Sequence, residues 1–154
     1  MESIIKVLLI ESNPLVQEGY EKALKSITQK NPKLQFEVNK AKSYEQGMVQ
    51  LKKAHKSIDV IFLDVRLLFT NESIIESGEY IALEIRNSFK KAKIIVLTSY
   101  YNTYRIAKVV KNIKPDGFLI KNDLTVHVLI DAISHVISSV PPYYSKSIIE
   151  VLNL

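Results

Sequence analysis

Residues 60–64 read VIFLD, four consecutive apolar residues followed at once by a carboxylate, Asp64. Similar apolar runs lie at 4–10, 94–97 and 118–120. Each run is too short for a typical helix and lacks alternation, which is the pattern of strands buried on both faces of a parallel sheet. The segment 34–38 alternates apolar and polar residues, as expected of a half-exposed edge strand.

The segments between these strands carry helical signals. Asn13 before Pro14 is typical of an N-cap and first helical turn, and Ser43 with Gln46 is typical of a capping box. Apolar residues also recur at helical spacing around 80–89, 104–113 and 129–137. Five strands alternating with five helices predict the α/β class, with one doubly wound parallel sheet covered on both faces.

The composition limits the possible functions. The 154 residues suit one domain, and the absence of cysteine excludes disulfides and thiolate metal sites. No apolar stretch approaches the roughly 20 residues of a membrane span, and the start of the chain does not resemble a secretory leader. We therefore expect a soluble, cytoplasmic protein with no membrane contact. The net charge of +5 is spread along the chain, which favours a solvated surface over a nucleic-acid site.

A polar residue directly follows each of the four buried strands. These residues are Glu11, Asp64, Thr98 and Lys121. In open α/β sheets, ligands bind beyond the carboxyl ends of the strands, so these side chains are expected at one edge. Two acids, a hydroxyl and an ammonium in register indicate a functional site.

These side-chain types suit phosphoryl transfer to a carboxylate. Asp64 would attack the phosphorus, provided that a metal and a cation neutralise the crowded oxygens. Glu11 and Asp64 would hold Mg²⁺, which favours carboxylates. Lys121 would pair with Asp64 and then with a phosphoryl oxygen, and Thr98 would hydrogen-bond another.

Four motifs resemble those of bacterial response-regulator receiver domains. They are VLLIESNPLVQEGY (7–20), VIFLDVRL (60–67), IIVLTSYY (94–101) and DGFLIKND (116–123). The resemblance covers residues 4–140 and implies a flavodoxin-like (βα)5 fold with sheet order 2-1-3-4-5. It also implies Mg²⁺-dependent transfer of phosphate from the phosphohistidine of a sensor histidine kinase to Asp64. Such a domain is a signalling phosphoacceptor and not a conventional enzyme.

The resemblance assigns two further roles. Phe118 matches the aromatic residue that rotates inward when Thr98 moves, although a simple core residue is an equal reading. The backbone carbonyl of Arg66 would contact the metal.

The end of the chain resembles the NarL/FixJ subfamily, whose receivers precede a DNA-binding domain. Asn122 after Lys121 and the sequence Tyr-Tyr-Ser at 143–145 carry this resemblance. We expect a receiver domain at 1–140 and a linker or short docking segment at 141–154. The DNA-binding output domain would then be absent, and the chain would be an excised or a stand-alone receiver. The switched state could form a homodimer.

Two features depart from the family. Ser12 stands where receivers carry the second acid, the one that normally binds the metal, which predicts weak Mg²⁺ binding unless a hydroxyl or water substitutes. The stretch between Asp64 and Gly78 is longer than usual, and could be a lid or a tolerated insertion. Its Glu72 and Glu76 are weak candidates for replacing the missing acid.

Two alternatives stay open. Ser12 favours a phosphorylation-independent pseudo-receiver, an interaction module that keeps the fold while its metal site decays. A small phosphatase with Asp64 as nucleophile lacks a dedicated base. The histidines, His55, His127 and His135, are too scattered for a metal site.

Overall fold

The computed structural model describes residues 2–54, 57–66, 78–99, 102–138 and 142–153. The strands are β1 (Ser3–Ile10), β2 (Leu34–Ala41), β3 (Val60–Asp64), β4 (Lys93–Thr98), β5 (Gly117–Ile120) and β6 (Tyr143–Tyr144). The helices are α1 (Pro14–Lys30), α2 (Tyr44–Ala54), α3 (Glu79–Ser88), α4 (Thr103–Asn112), α5 (Val126–Ser138) and α6 (Lys146–Leu152), and a 3-10 turn spans Lys121–Asp123. Residues 67–77, which include Glu72 and Glu76, lie outside the described residues, and so does His55.

All six strands are parallel and pair in the order β2-β1-β3-β4-β5-β6. The predicted α/β class and the order 2-1-3-4-5 are confirmed, and the segment 34–41 forms the edge strand. The sixth strand, β6, was not predicted. It pairs with the outer edge of β5 through Gly117–Tyr143 and Phe118–Tyr144.

Side chains alternate along the strands and form two apolar cores, one on each face of the sheet. One face packs Val7, Leu9, Phe62 and Leu119 against α1 and α5. The other face packs Leu8, Ile61, Val96 and Phe118 against α2, α3, α4 and α6. Helices therefore cover both faces, as the continuous apolar character of the strands requires.

The predicted helix starts are confirmed in the structure. Asn13 Oδ1 accepts a hydrogen bond from the Leu15 amide at 3.0 Å, and Ser43 Oγ accepts one from the Gln46 amide at 3.1 Å. These caps satisfy amide groups that have no partner within the helix. They also fix where α1 and α2 leave the edge of the sheet on which the candidate site lies.

The C-terminal segment packs against the domain. The Ser145 amide donates to the Phe118 carbonyl at 2.9 Å, and Ser145 Oγ accepts from the Ile120 amide at 3.1 Å. Ile148 is completely buried in the second core. Residues 143–152 are thus an added strand and helix on the β5 edge. None of the helices described in the structure is long and apolar enough to cross a membrane.

Candidate functional site

Three of the predicted site residues meet at the carboxyl edge of the sheet. Lys121 Nζ lies 3.2 Å from Glu11 Oε1 and 3.7 Å from Asp64 Oδ1. The side chain of Glu11 is 1% exposed, whereas those of Asp64 and Lys121 are 17% and 21% exposed. One ammonium thus bridges two carboxylates in a site that solvent reaches from the Asp64 and Lys121 side.

Strand register explains why these side chains meet. Ile10 pairs with Leu63 in the parallel ladder, so the next residues, Glu11 and Asp64, lie side by side. Side chains alternate along a strand, and Phe62 belongs to the core beneath α1 and α5. Asp64 therefore continues on the same face, above Phe62.

The start of α1 holds Glu11 in place. The Asn13 amide donates to Glu11 Oε1 at 3.1 Å, and Gln17 Nε2 donates to the Glu11 carbonyl at 2.6 Å. Gln17 is buried together with Glu11. The cap of α1 therefore fixes both the backbone and the carboxylate of Glu11, which keeps this buried acid hydrogen-bonded.

Tyr44 at the start of α2 holds the backbone of Asp64. Its hydroxyl donates to the Asp64 carbonyl at 2.7 Å and also makes a hydrogen bond with the Arg66 side chain. Gly78 allows this arrangement, since a Cβ at this position would lie 2.5 Å from the Tyr44 hydroxyl oxygen. The positive φ of Gly78, 88°, also favours glycine.

Burial is the main influence on the acids of the site. Burial raises the pKa of Glu11, repulsion from Asp64 raises it further, and the Lys121 charge opposes both. Burial also raises the pKa of Asp64, against the opposing charges of Lys121 and Arg66. The Tyr44 hydroxyl, buried and close to Asp64, has its pKa raised to about 12. The pair of carboxylates therefore gains from a nearby cation.

The other predicted residues lie around this cluster. Thr98 ends β4, next to β3, and is completely buried. Phe118 is completely buried in the core that contains Ile148, away from the edge. Ser12 and Arg66 are exposed. The geometry therefore brings Glu11, Asp64 and Lys121 into direct contact, with Thr98 on the adjacent strand end.

The donor set fits a divalent cation bound by few protein ligands. Glu11 Oε2 is buried and accepts no hydrogen bond, and Asp64 Oδ1 is buried with the Lys121 ammonium 3.7 Å away, beyond hydrogen-bond distance, so both oxygens can turn to an ion. No group of three metal-binding side chains exists among the described residues. Mg²⁺ commonly retains several waters and needs only one or two carboxylates. The two acids fit Mg²⁺ without the third carboxylate that Ser12 replaces.

Sequence reasoning missed the residues that support the site. The sequence patterns single out neither Tyr44 nor Gln17. They do not single out Tyr20 either, whose ring centroid lies 4.3 Å from that of Phe62. A signal was available for Tyr20, because a tyrosine buried beneath a predicted acidic edge needs a partner for its hydroxyl.

Comparisons with known proteins bear on the fold. By sequence, the chain matches no family model and no curated protein. By structure, it is similar to a response regulator from Thermotoga maritima, with a TM-score of 0.68 and 22% identity over 89% of this chain and 100% of the other. The isolated receiver domain of RcsB from Salmonella enterica serovar Typhimurium, in the presence of the phosphomimetic BeF3⁻, gives a TM-score of 0.76. Its identity is 17%, over 97% of this chain and 99% of the other.

The chain has the receiver-domain fold. A LuxR-family two-component response regulator from Aurantimonas sp. SI85-9A1 shares it, with a TM-score of 0.70 and 16% identity over 98% of this chain and 96% of the other. In this receiver fold, the cluster of Glu11, Asp64 and Lys121 lies at the carboxyl edge of the sheet, where doubly wound folds bind ligands.

Proposed function

We propose that this chain is a phosphoacceptor receiver domain of a two-component response regulator, in which Asp64 accepts a phosphoryl group from a sensor histidine kinase. The observation that supports this best is the contact of one ammonium, Lys121 Nζ, with both Glu11 and Asp64, at 3.2 and 3.7 Å. An acidic nucleophile, a second acid and a cation are the parts that phosphoryl transfer to a carboxylate needs.

The reaction forms one bond and breaks one. A carboxylate oxygen of Asp64 bonds to phosphorus while the bond between phosphorus and the donor's imidazole nitrogen breaks, and the imidazole leaves with the electron pair. The Lys121 ammonium turns from Glu11 toward a phosphoryl oxygen. The backbone of Asp64 stays in place because Tyr44 holds its carbonyl.

Glu11 and Asp64 would hold the metal, with the Arg66 carbonyl and, weakly, Ser12 as further ligands. Bound there, Mg²⁺ would neutralise charge on the phosphoryl oxygens. Glu11 Oε2, which accepts no hydrogen bond, and Asp64 Oδ1, which has only the Lys121 ammonium 3.7 Å away, support this assignment. Because Ser12 supplies no charge, we expect Mg²⁺ to bind more weakly than in a site with three carboxylates.

The signal would leave the site through Thr98 and Phe118. The Thr98 hydroxyl, at the end of the strand beside Asp64, would donate to a phosphoryl oxygen. Its movement would alter the packing of the Phe118 ring, which is completely buried on the neighbouring strand β5. The altered face would then form a homodimer or release a DNA-binding output domain.

Intact mass measurement tests this function directly. The protein is incubated with Mg²⁺ and acetyl phosphate, and one phosphoryl adduct is expected on the wild type and none on Asp64→Asn. Asp59→Asn is the matched control, because Asp59 accepts a hydrogen bond from the Lys6 amide, 2.8 Å away, just before β3 begins. An adduct that persists in Asp64→Asn would contradict the proposal.

The second candidate is a pseudo-receiver that works without phosphorylation. The lack of a third acidic ligand at Ser12 favours it. Such a module would take up neither acetyl phosphate nor beryllofluoride, and its binding surface would not depend on Mg²⁺.

A further inference from the structure

Tyr20 packs on the face of the sheet that carries the two carboxylates of the site. Tyr20 belongs to α1, and its side chain is buried. Its ring stacks on the Phe62 ring, with 4.3 Å between the ring centroids and 9° between the ring planes. Phe62 and its neighbour across the ladder, Leu9, face the same core. Since side chains alternate along strands, Glu11 and Asp64 come next on this face, one level above the Tyr20 ring.

The Tyr20 hydroxyl is a buried polar group to which the proposed function gives no role. It is buried and has no hydrogen-bond partner, and the same holds for Glu11 Oε2. A buried hydroxyl without a partner is unfavourable, whereas phenylalanine would fill the same space without that cost. Burial, followed by the negative charges of Glu11 and Asp64, raises the pKa of Tyr20 well above its usual value. Tyr20 therefore keeps its proton and remains a hydrogen-bond donor.

The Glu11 carboxylate gains from a further hydrogen-bond donor, and the Tyr20 hydroxyl can supply one. In this structure Glu11 Oε1 contacts Lys121 Nζ at 3.2 Å and the Asn13 amide at 3.1 Å. In the proposed function, Lys121 turns to the phosphoryl group, so Glu11 exchanges its ammonium partner for the metal while its side chain remains 1% exposed. Carboxylates that bind a metal are usually hydrogen-bonded themselves, so Glu11 gains from a further donor.

We propose that Tyr20 is a positioning residue whose hydroxyl donates a hydrogen bond to Glu11 Oε2 when Lys121 leaves. This inference rests on the proposed function for the departure of Lys121. The contact between Tyr20 and Glu11 can be tested without it. The Tyr20 hydroxyl and Glu11 Oε2 have no hydrogen-bond partner in this structure. They pair with each other once Lys121 has left Glu11, and this contact keeps Glu11 in position at the metal.

A double-mutant cycle tests the contact without any phosphorylation. Lys121→Met removes the ammonium but keeps the apolar stem, and Tyr20→Phe removes only the hydroxyl. With Lys121 present, Tyr20→Phe should leave the urea midpoint of unfolding unchanged or raise it, since the hydroxyl has no partner. In the Lys121→Met background it should lower the midpoint, with about a tenfold loss in the folding equilibrium constant. Equal effects in both backgrounds would overturn the proposal.

Binding of beryllofluoride with Mg²⁺ tests the same residue in the switched state. Tyr20→Phe should weaken beryllofluoride binding about tenfold, whereas Tyr143→Phe, in β6 and away from the site, should bind as the wild type does. Unchanged binding by Tyr20→Phe would contradict the role in switching. If the wild type itself binds no beryllofluoride, the proposed function fails, while the cycle with Lys121→Met still decides whether Tyr20 and Glu11 pair.

Discussion

The Lys121 ammonium lies closer to Glu11 than to the proposed acceptor, 3.2 Å from Glu11 Oε1 against 3.7 Å from Asp64 Oδ1. Glu11 is the more buried of the two acids, so the cation compensates the charge that burial penalises most. In this structure the Lys121 ammonium therefore pairs mainly with Glu11, and Asp64 is the more exposed carboxylate.

The first prediction concerns pH. Burial raises the pKa of Glu11 and of Asp64 above their usual values of 4.5 and 3.8, so the folded protein binds protons at a higher pH than the unfolded chain. The free energy of unfolding should therefore increase as pH falls from above the folded pKa values toward the unfolded ones, because the folded protein takes up more protons at these two groups. Urea unfolding across this range should show the gain. The variant Glu11→Gln Asp64→Asn should lose it, and an identical pH dependence in both proteins would refute the assignment.

The second prediction concerns Ser12. Ser12→Asp adds a third carboxylate to the edge, so the Mg²⁺ dissociation constant should fall about tenfold, because ligand charge sets the affinity for a hard cation. Ser134→Asp, on the exposed surface of α5, adds the same charge elsewhere and should leave the affinity unchanged. Isothermal titration with Mg²⁺ measures both. Equal affinities of Ser12→Asp and the wild type would show that Ser12 does not face the metal.

The third prediction concerns two glycines. Gly78→Ala places a Cβ 2.5 Å from the Tyr44 hydroxyl oxygen at a φ of 88°, so it should destabilise the fold by about 1–2 kcal/mol or more. Gly19→Ala, within α1, meets only Leu129 Cδ1 at 3.7 Å and should stabilise by about 0.5–1 kcal/mol. Thermal unfolding of the two variants gives the comparison. A stable Gly78→Ala would mean that the Tyr44 contact with Asp64 does not need this close approach.

The fourth prediction concerns the C-terminal helix. Ile148 is completely buried and its neighbour Ile149 is 45% exposed, so the two form a matched pair. Ile148→Ala should cost about 2–5 kcal/mol through the cavity it leaves, and Ile149→Ala should stay within about 0.5 kcal/mol of the wild type. Urea unfolding distinguishes them. Equal costs would indicate that α6 does not belong to the folded unit.

Local sequence signals predicted most of the fold and the centre of the site. The buried strands are continuous apolar runs, and the acids and lysine follow them directly, so parallel pairing alone brings Glu11 and Asp64 together. Asn13 and Ser43 cap their helices through contacts within four residues. Such signals can be recognised from the sequence alone, because each depends on residues that are neighbours in the chain.

The parts that sequence reasoning missed depend on distant contacts. The strand β6 has only two residues, Tyr143 and Tyr144, and forms because β5 offers an unpaired edge. The contact of Tyr44 with Asp64 spans 20 residues and requires Gly78 beside it. Tyr20 fits an apolar helical face by its ring, and the significance of its hydroxyl depends on the tertiary fold that buries it on the same face as the acids.

The fifth prediction locates the phosphoryl group, and it tests the central claim most directly. The protein is treated with acetyl phosphate and Mg²⁺, the acyl phosphate is reduced with borohydride, and the modified residue is identified by peptide mass spectrometry. We predict that reduction converts Asp64 alone, with no conversion in Asp64→Asn and a diminished yield in Lys121→Met. Conversion at another carboxylate, or an unmodified Asp64 at saturating donor and Mg²⁺, would contradict the account.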